Sequence, residues 1–139
     1  MREDERDALR AGSSRWRGPA GFAVLLLIAS TLPVPSGVFG GGGGEGSVVP
    51  LSIGLTDPFH VVGYAILVAL VTRVTGRTPL GLLLAVVAAV GFGFGIELVQ
   101  APVPWRTFAW RDVGVNALGA VIGAVVVAVG GRRRERGSR

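Results

Sequence analysis

The stretch DPFHVVGYAILVALVTRV, residues 57–74, decides the fold. It opens on Asp57 and Pro58, a side-chain cap followed by proline at the first helical position. His60 and Tyr64 follow Asp57 at i+3 and i+7, so the three share one helix face. Beyond Tyr64 the run is apolar until Arg73. Its length is close to the roughly 20 residues that a bilayer crossing takes. The stretch reads as a membrane helix with a polar face at its first turns.

Three further apolar runs surround it. Residues 79–101 form one, stopped by Pro102 and Pro104. Residues 112–130 form another, opened by Asp112 as a second cap and closed by Gly130 and Gly131. The earliest run, residues 19–38, is cut by Pro33 and Pro35 and spans the bilayer only if it is counted from Trp16 to Phe39. A cleaved signal peptide is the rival reading there, since a basic lead and a short apolar core fit one. Val34-Pro35-Ser36 is a poor small-residue cleavage site, which favours a retained helix. A lead over residues 1–18, helical from about Glu3 to Arg10, and a basic tail over 131–139 complete the chain. Trp16 sits where an interfacial aromatic would.

Composition agrees with this division. Half of the 139 residues are hydrophobic and only 17% are charged. A soluble domain of this size carries about a quarter. The net charge of +5 comes from arginine alone, as the chain has no lysine. Arg2, Arg6, Arg10, Arg15 and Arg17 precede the apolar runs, and Arg132, Arg133, Arg134, Arg136 and Arg139 follow them. Such flanks serve topology and anionic lipid headgroups rather than nucleic acid. With no cysteine, disulfides, thiolate catalysis and cysteine zinc sites are excluded, and one histidine excludes a multi-histidine metal centre.

Arginine bias then sets the expected topology. The loop over 38–55, with its glycines 40–44, carries no arginine; the connection between the second and third runs is flanked by Arg73 and carries Arg77. Four crossings with both termini cytoplasmic put the first outside and the second inside. The glycine loop lacks the Gly-Lys-Ser or Gly-Lys-Thr of a phosphate cradle and reads as a flexible connection. The loop over 103–111 falls outside despite Arg106 and Arg111, and an external arginine that breaks the bias calls for a specific partner. The expected fold is an all-α integral membrane four-helix bundle in a prokaryotic plasma membrane.

In that topology the polar residues converge at one end. Asp57, His60 and Tyr64 lie at the start of the second span, Glu97 and Gln100 at the end of the third, and Arg106 in the loop beyond. Asp112, Asn116, Gly119 and Gly123 run i, i+4, i+7, i+11 down the fourth. Gly93 shares a face with Glu97. The pairs Gly91 and Gly95, and Gly119 and Gly123, have the small-xxx-small spacing of close helix contacts in lipid. An ionised side chain costs about 2.5–3.5 kcal/mol at the centre of a span and less at its ends. Facing a partner such as Arg106 or His60 offsets that cost for Glu97; facing lipid does not.

These residues resemble the VanZ-like family of small four-span membrane proteins. Asp57-x-x-His60-x-x-x-Tyr64 is similar to that family's second-helix pattern. Glu97-x-x-Gln100, then Arg106, then Asp112-x-x-x-Asn116-x-x-Gly119 is similar to its second half. The resemblance runs over residues 19–130. Pro58 departs from the lysine that the family often has after the aspartate. The family takes its name from a protein associated with resistance to glycopeptide antibiotics, notably teicoplanin. It supplies no biochemical activity, which has to be argued at the site.

Two function classes follow. The first is a binding protein whose outer-face pocket of Asp57, His60, Tyr64, Glu97, Gln100, Arg106, Asp112 and Asn116 engages an amphiphile. A lipid headgroup, a lipid-linked envelope precursor and a lipophilic glycopeptide-type antibiotic are the ligands that fit. The alternative is a membrane-embedded hydrolase or transferase with His60 and Glu97 as acid and base and Arg106 on an anionic group. It lacks an obvious nucleophile, as Ser52 and Thr56 carry no motif. Plainer roles exist for each residue. Asp57 and Asp112 read first as caps, Glu97 and Arg106 as an ion pair, and Gln100 and Asn116 as interhelical hydrogen-bond partners. Trp105 and Trp110 read as interface anchors. The expected partners are membrane lipids and an envelope precursor, with no nucleic acid, metal or cofactor; an oligomer is left open.

Overall fold

The structure is a computed structural model that describes residues 3–31, 57–102 and 110–137. Those residues are helical apart from short turns: α1 (Glu3–Thr31), α2 (Asp57–Thr75), α3 (Pro79–Gln100) and α4 (Trp110–Gly137). The all-α reading holds. Three of the helices, α2, α3 and the Trp110–Gly131 part of α4, are long and apolar enough to cross a membrane.

The α2–α3 turn is built from local chemistry. Gly76 takes φ 88°, the left-handed conformation that ends a helix at little cost only for glycine. Its N–H donates to the Thr72 carbonyl at 3.0 Å. Thr78 caps α3, its hydroxyl accepting from the Gly81 N–H at 3.1 Å, and Pro79 occupies the first turn. The two helices therefore run antiparallel across a very short connection.

α1 differs from expectation. The polar lead and the apolar run form one continuous helix, with Pro19 inside it. Proline has no N–H, so the Arg15 carbonyl loses its usual donor. Within the described residues the apolar part of α1 covers only 19–31, short of a crossing. The further residues needed for that crossing lie outside the described ones. α4 also starts two residues earlier than expected, at Trp110. Asp112 is thus a first-turn residue beside the helix dipole, not the cap.

The interior is small and partly polar, and the exterior is large and apolar. Gly81, Ala85, Ala89, Gly93, Glu97 and Gln100 form the buried stripe of α3. Tyr64, Leu67, Val68 and Val71 of α2 and Ala120 of α4 complete the core. Outward stand Val62 and Ile66, Leu83, Leu84 and Val87, and Leu118, Val121, Val125 and Val126. In water such a belt of exposed aliphatic side chains would be an aggregation surface; in lipid it is the expected face.

Helix contact follows the small residues. A Cβ on Gly119 would stand 2.5 Å from the Val61 carbonyl oxygen, and one on Gly123 would stand 2.6 Å from that of Ala65. The backbones of α4 and α2 therefore approach as closely as the 119/123 spacing suggests. Gly91 and Gly95 behave differently, with nothing within 4 Å of an added Cβ. The α3 contact runs at i+4 through 81, 85, 89 and 93, and Gly91 lies about half a turn off that line.

Candidate polar site at one end of the bundle

With α1 and α3 ending where α2 and α4 begin, the polar residues of four helices meet at one level. The Gln100 amide donates from Nε2 to the Ser30 carbonyl at 2.8 Å, tying the end of α3 to the end of α1. His60 and Asn116 meet across the α2–α4 contact, with Nδ1 3.0 Å from Oδ1. An amide oxygen can only accept, so His60 Nδ1 is the donor in this contact. Asn116 is buried and His60 is half-buried.

Gly93 is where α2, α3 and α4 close on one another. A Cβ there would meet the Tyr64 hydroxyl at 2.8 Å and the Asn116 amide nitrogen at 3.0 Å. The missing side chain makes room for both polar groups between the helices. Glu97 stands one turn further along the same face and is buried, 4% exposed. Its carboxylate is close enough to Tyr64 to act on it electrostatically. Among the described residues no fully buried side-chain nitrogen or oxygen lacks a hydrogen-bond partner. Satisfied polar groups between helices are what burial requires.

Asp57 and Arg111 form the outermost contact. Arg111 Nη1 donates to Asp57 Oδ1 at 3.0 Å and Nη2 donates to Oδ2, a bidentate fork. Arg111 also lies 3.8 Å from Asp112. The Asp57 side chain is 13% exposed and that of Arg111 is 44% exposed. Sequence reasoning gave the external arginine a partner but put Arg106 at the site, and Arg106 lies outside the described residues with Trp105. Arg111 was missed because its place in the first turn of α4 depends on that helix starting at Trp110. The charge-bias argument was the signal that pointed toward it.

The structure thus brings Asp57, His60, Tyr64, Glu97, Gln100 and Asn116 to one end of the bundle, with Asp112 at its rim. Trp110 is exposed there, its ring centroid 6.2 Å from that of Phe94. The groups present are an imidazole, two amides, a phenol, carboxylates and a guanidinium. Together they can donate to and accept from a polar headgroup. Among the described residues no group of three or more His, Cys, Asp or Glu is arranged to hold a metal ion.

Comparison with known proteins adds one finding. A family model described as VanZ/LLP1 matches residues 43–130, well over half of the chain. The match contains α2, α3, most of α4 and every residue named at the polar end except Ser30. No curated protein and no solved structure matches.

Proposed function

The chain belongs to the VanZ/LLP1 family, and from that premise we propose that it is a multi-pass plasma-membrane protein that binds the polar head of an amphiphile at its exterior end. The ligand class is a lipid headgroup, a lipid-linked envelope precursor or a lipophilic glycopeptide-type antibiotic. Both termini are cytoplasmic in this reading. The observation that carries it is Asn116, which meets Tyr64 at Gly93 and His60 across the α2–α4 contact. Polar residues placed inside a membrane bundle are a functional signal by default. Polar groups at the end of a bundle, beside an exposed lipid-facing belt, suit a ligand whose head is polar and whose tail stays in the bilayer.

The site's rim supports the same reading. Arg111 is only partly covered by Asp57, and Trp110 marks the interface level. Asp57 holds the guanidinium in a fixed orientation at the mouth, where an anionic head arrives from the exterior leaflet.

The test is binding by purified protein in lipid nanodiscs. A polyprenyl phosphate and a lipophilic glycopeptide serve as separate probes, with His60→Ala and Asn116→Ala as variants. At least one probe should bind the native chain, and each variant should weaken that binding about tenfold or more while remaining folded and inserted, with a melting temperature lowered only by the loss of one hydrogen bond. Failure of both probes, or native-like binding by both variants, contradicts the pocket. Breakdown of a probe that stops on His60→Ala would move the assignment to the hydrolase or transferase reading.

A further inference from the structure

A second feature lies apart from the polar residues, between the middle of the bundle and its arginine-bearing end. α1 packs on the core through Phe22, Ala23 and Leu26 but meets α3 only slightly. A cleft of about 160 Å³ is left between α1, α2 and α3, lined by Trp16, Pro19 and Ala23, by Leu67, and by Ala88 and Phe92. It is similar in size to a ~150 Å³ cavity that accepts benzene. A segment of alkyl chain fits it and a sugar or phosphate head does not, since its walls offer almost nothing to hydrogen-bond.

Among the described side chains, the charged ones toward this end of the bundle are all arginines. Arg15 and Arg17 stand on either side of Trp16 in sequence and are exposed. Arg73 and Arg77, where α2 turns into α3, are exposed as well. Arg77 lies 3.8 Å from where a Cβ on Gly131 of α4 would stand. The carboxylates whose side chains are described, Asp57, Glu97 and Asp112, all lie at the opposite end. On α1 the nearest acidic position is Asp7, about 14 Å further along the axis at the helical rise.

We propose that this cleft seats one acyl chain of an anionic phospholipid from the arginine-side leaflet, with Arg15 and Arg17 holding its headgroup. The half-exposed Trp16 then lies beside the upper part of the chain, 48% exposed without it. Continuous cover of a groove by an apolar chain removes the gap beside Pro19, where the α1 ladder lacks a donor.

Trp16 reports the occupant directly once Trp105→Phe and Trp110→Phe leave it as the sole tryptophan. That protein is reconstituted in phosphatidylcholine vesicles doped with phosphatidylglycerol or phosphatidylcholine brominated near the top of the acyl chain. Half-maximal quenching should need roughly tenfold less of the anionic brominated lipid than of the neutral one. Arg15→Gln with Arg17→Gln should bring the two together, and Ala88→Leu should remove the high-affinity phase. Equal quenching by both lipids in the native background overturns the proposal. So does a Trp16 shielded from both lipids in a protein that cross-links as a dimer, which would make a second copy the occupant.

Discussion

Asp57 and Arg111 show how much one ion pair depends on where each partner sits. Removing Arg111 leaves a mostly buried carboxylate, whereas removing Asp57 leaves a guanidinium that already reaches solvent. Arg111→Ala should cost about 1–2 kcal/mol, well below a fully buried pair because the arginine is partly screened, and Asp57→Ala, which also removes the carboxylate at the start of α2, should cost about the same. Chemical denaturation in detergent measures both. A larger loss for Asp57→Ala would mean that its carboxylate does more than hold this arginine and start α2. The polar residues themselves were legible in the sequence: a charge inside an apolar chain stands out, and helical spacing puts Asp57, His60 and Tyr64 on one face. The choice of arginine was not, because Arg106 and Arg111 belong to one loop of the sequence and only the place of Arg111 in the first turn of α4 brings it to Asp57.

At the scale of elements, glycine position decides which helices touch. Gly119 and Gly123 lie against the α2 backbone, and Gly91 faces outward with open space around it. Gly119→Ala should push α4 off α2, lowering stability by about 1–3 kcal/mol. Gly91→Ala should leave it within about 0.5 kcal/mol of native. Melting temperatures of the two variants in one detergent separate the cases, and equal losses would contradict the α2–α4 contact. Spacing in the sequence identifies both glycine pairs as suitable for contact but carries no information on which side the partner lies. A helix start was clearer where residues act through the backbone, as at Asp57-Pro58. Pro19 misled for the opposite reason: proline is tolerated inside α1, so one helix runs through what reads as a boundary between lead and span.

Over the whole molecule, two ends with opposite chemistry are joined by an aliphatic belt. One end gathers His60, Glu97, Gln100, Arg111 and Asn116; the other carries Arg15, Arg17, Arg73 and Arg77. Antiparallel helices make this unavoidable once each polar cluster lies at its own helix end. Arginine bias then predicts which end faces the cytoplasm. The chain has no cysteine, so single cysteines can be introduced without background. The most direct measurement is labelling of Glu45→Cys, Trp105→Cys and Arg77→Cys in intact cells with a membrane-impermeant maleimide. Positions 45 and 105 should label from outside while position 77 labels only after the membrane is opened. Labelling of 45 and 105 from opposite faces would contradict a single exterior site.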